Sequence, residues 1–228
     1  MSSSRLPGKV LKPLLGQPMI LHQIERLRRA RSLGGIVVAT SVEASDDVLC
    51  AACGEAGVEV VRGSLDDVLD RYREAARAMG DPAHVVRLTA DCPLADWTVI
   101  DACLGLHLQG GADYTSNVVQ RSFPKGLDVE VMTLAALDQA WREAAAPYER
   151  EHVTPYINRH PDRFALANLV QDVDRSAWRW TVDTAEDWAM VEAVYRSLYR
   201  PDALFTSAAV ADFLEANPQT ARLNGALG

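Results

Sequence analysis

The chain has 228 residues, 48% of them hydrophobic and 24% charged, which is enough apolar material to fill one α/β core. Its net charge of −8, from 31 acidic and 23 basic residues, argues against a general nucleic-acid binder, and no apolar run is long enough to span a bilayer. The four cysteines, Cys50, Cys53, Cys92 and Cys103, suggest no disulfide framework, and with no secretory leader in the sequence a cytoplasmic location is expected.

No low-complexity tract or Pro/Ser-rich linker interrupts residues 1–228, so a single domain is expected. The charge is uneven. Residues 1–31 carry seven cations (Arg5, Lys9, Lys12, Arg26, Arg28, Arg29, Arg31) against Glu25 alone, a local +6 in a chain of −8. A polyphosphate ligand near this end and a merely basic first helix explain that asymmetry equally well.

In chain order, a loop rich in Pro and Gly over residues 1–18 precedes an amphipathic helix at 19–31. IVVAT (36–40) reads as a fully buried strand, Ser45 with Asp46 and Asp47 opens a helix, and VEVV (58–61) is the next strand. Ser64 is expected to cap a helix from Leu65 to about Met79, followed by the strand HVVRLT (84–89). Asp96 can cap a helix toward Leu108, GLDVEVM (126–132) alternates as a strand does, and Thr133 starts a helix to about Ala145. Further helices are expected over 147–158, from Thr184 to Leu198 and over 207–215, with FALANL and WRWTV as short strands. Strand–helix alternation in the first hundred residues implies βαβ units and a mostly parallel central sheet flanked by helices.

Three groups of residues can carry chemistry. In Ser2-Ser3-Ser4-Arg5-Leu6-Pro7-Gly8-Lys9, Gly8 permits close backbone approach, the serines offer hydroxyls, and Arg5 and Lys9 are cations suited to a triphosphate. The glycine and hydroxyl spacing of a P-loop is absent, and a solvated N-terminus is the equal alternative. Asp91 follows one strand and Asp183 another, where open α/β sheets bind ligands, so the two carboxylates together can hold one Mg²⁺. Each also has an ordinary use, Asp91 in a turn and Asp183 at a helix start. In RSFPKGLDVE, Arg121, Lys125, Asp128 and Glu130 cluster. Asp128 and Glu130, two apart in a strand, share a face that can bind sugar hydroxyls or form a salt-bridged edge. Cys50-Ala-Ala-Cys53 lies inside a helix without a second Cys/His pair, and the five histidines form no ligand pattern.

The run SSSRLPGKVLKPLLGQPMI resembles the opening of the sugar-acid cytidylyltransferases, nearest their SpsF-like, spore coat polysaccharide branch. The resemblance continues in order through ATSVEASDDVL, VRGSLDDVLDRY, VVRLTADCPL, DYTSN, FPKGLDVEV, YEREHVTPYI and RWTVDTAED, covering residues 2 to about 195. It implies a Rossmann-like nucleotide-diphospho-sugar transferase fold that moves CMP from CTP to an acidic sugar with Mg²⁺ (or Mn²⁺), releasing pyrophosphate in surface or spore-coat polysaccharide synthesis. By the same resemblance, Ser3, Arg5, Gly8, Lys9, Arg62 and Asp91 would serve the nucleotide, with Gly63 and Ser64 beside Arg62. Arg5 and Lys9 would act catalytically on the triphosphate, Asp91 and Asp183 would hold the metal, and Lys125, Asp128 and Glu130 would face the sugar. CTP and an acidic sugar are then the expected partners, and a homodimer is compatible with them.

One departure from the resembled pattern is a hydrophobic strand ending in Ala-Arg ahead of the loop, which this sequence lacks; a missing first strand is therefore expected. A glycosyltransferase of related fold and a non-catalytic nucleotide-binding subunit are the competing readings. Pyrophosphate release from CTP separates the first, and CTP binding without turnover identifies the second.

Overall fold

A computed structural model describes residues 5–224. Gly8, in the left-handed region at φ 69°, turns the opening loop into a single 3₁₀ turn over Lys9–Leu11. A two-residue hairpin, β1 (Pro13–Leu14) with β2 (Gln17–Pro18), leads into α1 (Met19–Leu27). Helix α1 presents Met19, Ile20, Ile24 and Leu27 to the interior at helical spacing, as its amphipathic pattern requires.

β3 (Val37–Ser41), α2 (Asp47–Glu55) and β4 (Glu59–Gly63) form a parallel βαβ unit with Val37 opposite Glu59. Next come α3 (Val68–Ala78), β5 (His84–Arg87), α4 (Trp97–Gly110) and β6 (Tyr114–Ser116). β7 (Glu130–Thr133), α5 (Leu134–Glu143), α6 (Pro147–His152), α7 (Pro155–Asn158) and β8 (Leu166–Asn168) follow, then α8 (Ala185–Leu198), α9 (Ser207–Ala216) and α10 (Pro218–Ala221). Among the described residues no helix is long and apolar enough to cross a membrane.

The sheet is mixed, which corrects the expectation of a mostly parallel one. β5-β7-β6-β8 form a four-stranded sheet in which β7 runs antiparallel to both neighbours and only β6 and β8 are parallel. Among the described residues the β3–β4 pair shares no ladder with it, and β5 pairs with β7 alone. Val37, Val38 and Ala39 are accordingly half-buried, where full burial of β3 was expected.

Several local readings also shift. Asp67, not Ser64, caps α3, accepting from Asp70 N at 3.0 Å, while Ser64 Oγ accepts from the backbone of Asp66 and Asp67 one turn earlier. The helix expected over 147–158 is broken at Val153, whose φ of 72° ends α6. WRWTV forms no strand. It makes one isolated parallel bridge, Lys125 to Arg179, flanked by Lys125 N to Trp178 O at 2.9 Å and Trp180 N to Lys125 O at 2.6 Å. Gly126 makes this approach possible. At φ 109°, a Cβ there would lie 2.6 Å from the Trp180 carbonyl carbon and 2.7 Å from Thr181 N. Asp96, Thr133 and Thr184 cap α4, α5 and α8 as expected. The main core gathers Met19, Ile100, Val131, Trp180, Val191 and Leu214 from both halves of the chain.

Candidate active site

The loop carrying Asp91 is clamped from three directions before any ligand is considered. Gln23 of α1 donates to Thr89 O at 2.9 Å, and the buried Arg26 donates through Nε to Ala95 O at 2.8 Å. Tyr195 of α8 donates its hydroxyl to Pro93 O at 2.7 Å. Arg26 is 1% exposed and lies over the rings of Trp97 and Phe205. Lys12 lies 4.2 Å from the centre of the Trp188 ring. Two of the seven N-terminal cations are thus spent on the scaffold, and only part of the local +6 reaches the site.

Val182 N donates to Asp91 O at 2.8 Å, and Thr181 Oγ1 donates to the same carbonyl at 3.3 Å. This backbone link sets Asp91 beside Asp183 although 92 positions separate them in the sequence. Lys9 Nζ fills the space between them. It lies 3.1 Å from Asp91 Oδ2, 2.8 Å from Asp183 Oδ1 and 2.7 Å from Val182 O, and its side chain is only 12% exposed. Arg5 adds a second cation, with Nη2 3.3 Å from Asp183 Oδ2, on a side chain that is 63% exposed. Thr89 Oγ1 donates to the other Asp91 oxygen at 2.7 Å.

A third cation was not anticipated. Arg179 donates through Nη2 to Asp183 Oδ2 at 2.6 Å and to Asp187 Oδ2 at 2.9 Å, and through Nε to Asp187 Oδ1 at 2.9 Å. Asp187 is buried and accepts from the backbone N–H groups of Asp183 and Thr184 at 2.8 and 3.0 Å, in the capping box that starts α8. Burial works against ionisation of Asp183, yet hydrogen bonds from Lys9 and Arg179 overcome it and hold the carboxyl at about 2. Hydrogen bonding to Asp187 raises the Arg179 pKa, so both partners keep their charges.

Beside this cluster lies a cavity of about 760 Å³, lined among others by Val10, Val38, Thr40, Ser64, Arg71 and Ala90. It falls in the range of roughly 300–1,000 Å³ that small-molecule sites occupy. Arg71, on α3, is half-buried, and its Nε has no hydrogen-bond partner among the described residues. Gly63, at the end of β4, lets this side chain pass, since a Cβ there would sit 2.6 Å from Arg71 Cγ.

The sequence-derived residues divide as follows. Lys9, Arg5, Asp91 and Asp183 converge, Gly8 shapes their loop, and Ser3 lies outside the described residues. Arg62 stands apart from the cavity. It is exposed and bonds to Ser41 O, Glu43 O and Asp47, and it does not line the cavity; Arg71 supplies a cation there instead. Glu130 is a correction. It is 6% exposed, and Arg87, Tyr114 and Thr154 occupy its carboxylate in the interior, so it has no open face for a sugar. Asp128 precedes β7, which begins only at Glu130, so the two do not share a strand face. Asp128 holds Arg121 through two hydrogen bonds of 2.6 and 2.9 Å, and Lys125 is exposed on the segment bridged to Arg179.

Comparison with known proteins places the chain in a family. The chain is 34% identical to the spore coat polysaccharide biosynthesis protein SpsF of Bacillus subtilis, over 97% of this chain and 93% of that protein. It is 40% identical over 111 residues to a 3-deoxy-manno-octulosonate cytidylyltransferase of Anaeromyxobacter, which is 48% of this chain and 44% of that one. A solved cytidylyltransferase from Leptospira borgpetersenii superposes with a TM-score of 0.91 at 32% identity, covering 97% of this chain and 93% of that one. The family model for cytidylyltransferases matches residues 1–194, which sets aside the glycosyltransferase reading, and the chain belongs to the cytidylyltransferase family.

Proposed function

We propose that the protein activates an acidic sugar for polysaccharide biosynthesis, transferring CMP from CTP to a sugar hydroxyl with release of pyrophosphate. The observation that carries this reading is the pair of carboxylates at Asp91 and Asp183, already gathered around a cation next to a nucleotide-sized cavity.

The donors at that point suit a divalent metal such as Mg²⁺ or Mn²⁺. Two carboxylate oxygens and the Val182 carbonyl are hard oxygen ligands of the kind Mg²⁺ selects, leaving room for water and phosphate. Asp91 and Asp183 would hold the metal, which when bound neutralises phosphate charge and lowers the pKa of a nearby hydroxyl.

The rest falls to side chains of this protein. The cavity takes the nucleoside, with Arg71 directed into it. Arg5 and Lys9 provide positive charge for the triphosphate on the same side as the carboxylates. Lys125 meets the carboxylate of the sugar acid, and Asp128, steadied by Arg121, accepts from sugar hydroxyls. The sugar hydroxyl gives up its proton to solvent water as its oxygen attacks the α-phosphorus, a new P–O bond forms, and the bond to the bridging oxygen breaks, its electron pair leaving with pyrophosphate. Positioning and charge neutralisation supply the rate enhancement, and no histidine base is required. The reaction belongs in the cytoplasm, where CTP is available.

The test follows pyrophosphate release with each of the four ribonucleoside triphosphates against a panel of acidic sugars. CTP with one acidic sugar and Mg²⁺ is expected to support turnover that a chelator abolishes. Equal release from all four nucleotides, or turnover untouched by chelator, overturns the reading.

A further inference from the structure

The Lys9 ammonium has three N–H donors, and three oxygens receive them: Asp91 Oδ2, Asp183 Oδ1 and Val182 O, at 3.1, 2.8 and 2.7 Å. These are the same oxygens that a divalent metal would need. Lys9 therefore already offsets part of the charge of the carboxylate pair from within, and Arg5 and Arg179, the latter shared with Asp187, offset the rest.

We propose that Lys9 is an internal stand-in for the metal, so that Lys9 and the divalent cation occupy the carboxylate pair in turn, and the metal enters only when a nucleotide triphosphate draws Lys9 away. This rests on the assignment of Asp91 and Asp183 as metal ligands. A +1 ammonium and a +2 ion compete for the three oxygens that Lys9 contacts, because the two cations repel at that range. A triphosphate changes the balance. Its oxygens offer Lys9 a partner of higher charge, and the flexible four-carbon stem of a lysine, set on the turn that follows Gly8, lets the ammonium change partners without moving the backbone. Both states keep their charges compensated. Without ligand, Lys9 balances the carboxylates together with Arg5 and Arg179; with ligand, the metal takes the place of Lys9 and Lys9 balances phosphate.

The consequence is coupling. Metal alone binds weakly because it must first expel Lys9, and nucleotide raises metal affinity by removing that competitor. The exchange also keeps an unproductive metal from filling the site before CTP arrives.

Mn²⁺ binding to the purified protein, followed by electron paramagnetic resonance without any sugar, tests this directly. Wild type is expected to bind Mn²⁺ weakly alone. Lys9→Met is expected to bind Mn²⁺ alone at least tenfold more tightly. Lys12→Met, which loses the same charge from the Trp188 ring, is expected to match wild type. Equal and tight Mn²⁺ binding by wild type and Lys9→Met overturns the exchange while leaving the metal assignment standing. Failure of every form to bind Mn²⁺, with CTP present as well, overturns the metal assignment and the exchange with it.

A measurement on wild type alone guards against a Lys9 variant that misfolds. The Lys9 ammonium resonance, in protein labelled at lysine, is expected to stay in place with Mg²⁺ alone and to shift when Mg²⁺ and a non-hydrolysable CTP analogue are added together. A shift of equal size with Mg²⁺ alone contradicts the exchange, and so does no shift under either condition.

Discussion

Arg179 and Asp183 are bound one helical turn apart in sequence, with 2.6 Å between Nη2 and Oδ2, at the point where the chain turns into α8. Asp187 locks Arg179 from the other side, so the carboxylate at 183 is oriented by a residue that is itself immobilised. That arrangement makes the site sensitive to acid. Asp183 is held at about 2 against an ordinary 3.8, so its stabilising contribution is complete above 3.8 and is lost as pH falls toward 2. Solvent screening at this partly open position limits the contribution to about 1 kcal/mol. Denaturant unfolding at pH 5 and pH 2.5 should show wild type losing more than half of that contribution relative to Asp183→Asn over that interval. Equal losses would mean that the ion pairs at Asp183 add nothing to stability.

Arg71 and Gly63 should act as one unit in nucleotide binding. Arg71→Ala is expected to raise the KM for CTP about tenfold, the effect of losing roughly 1.4 kcal/mol of binding, while the KM for the sugar stays put. Gly63→Ala is expected to shift the same parameter in the same direction, since its new Cβ displaces Arg71 at Cγ. Steady-state kinetics with each substrate varied in turn reads both. A change confined to the sugar KM would place the nucleoside elsewhere.

Gly126→Ala should be costly. The added methyl meets the backbone of Trp180 and Thr181, which cannot yield as a flexible side chain would, and the φ of 109° is itself unfavourable for alanine. A destabilisation of about 2 kcal/mol corresponds to a fall in Tm of about 4–8 °C for a chain of this size. Activity should fall with it, because residues 179–183 move with Trp180. An unchanged Tm would show that the close approach is unnecessary.

Glu130 and Lys125 should separate cleanly. Glu130→Ala leaves the half-buried Arg87 without its counter-ion and is expected to cost about 3 kcal/mol of stability. Lys125→Ala, on the surface, is expected to leave stability within about 0.5 kcal/mol and to raise the KM for the sugar acid. A stable Glu130→Ala protein with only a weakened sugar KM would restore Glu130 to the sugar site.

Much of this site was legible in the sequence because its residues stand at chain landmarks. Asp91 and Asp183 each follow a short run rich in apolar residues, and Lys9 follows a glycine whose positive φ builds the loop. Glu130 was misread because alternation with Asp128 assigns both to one face, whereas its burial depends on Arg87, Tyr114 and Thr154 from three distant segments. Arg71 was missed for a similar reason. Which of two arginines enters a cavity depends on where α3 packs against β3 and β4, and no local pattern encodes that. Arg179 carried a signal that passed unused, an arginine four residues before Asp183 and eight before Asp187. The mixed sheet was hidden because alternation marks β7 as a strand and says nothing of its direction.

The account stands or falls on Asp91 and Asp183 acting together on CTP. The most direct measurement is the rate of sugar-dependent pyrophosphate release from CTP in wild type, Asp91→Asn and Asp183→Asn, each checked for intact fold by circular dichroism. Both variants are predicted to fold and to lose roughly a hundredfold or more of turnover, on the scale of removing one strong transition-state interaction. Near-normal turnover in either folded variant would contradict the claim.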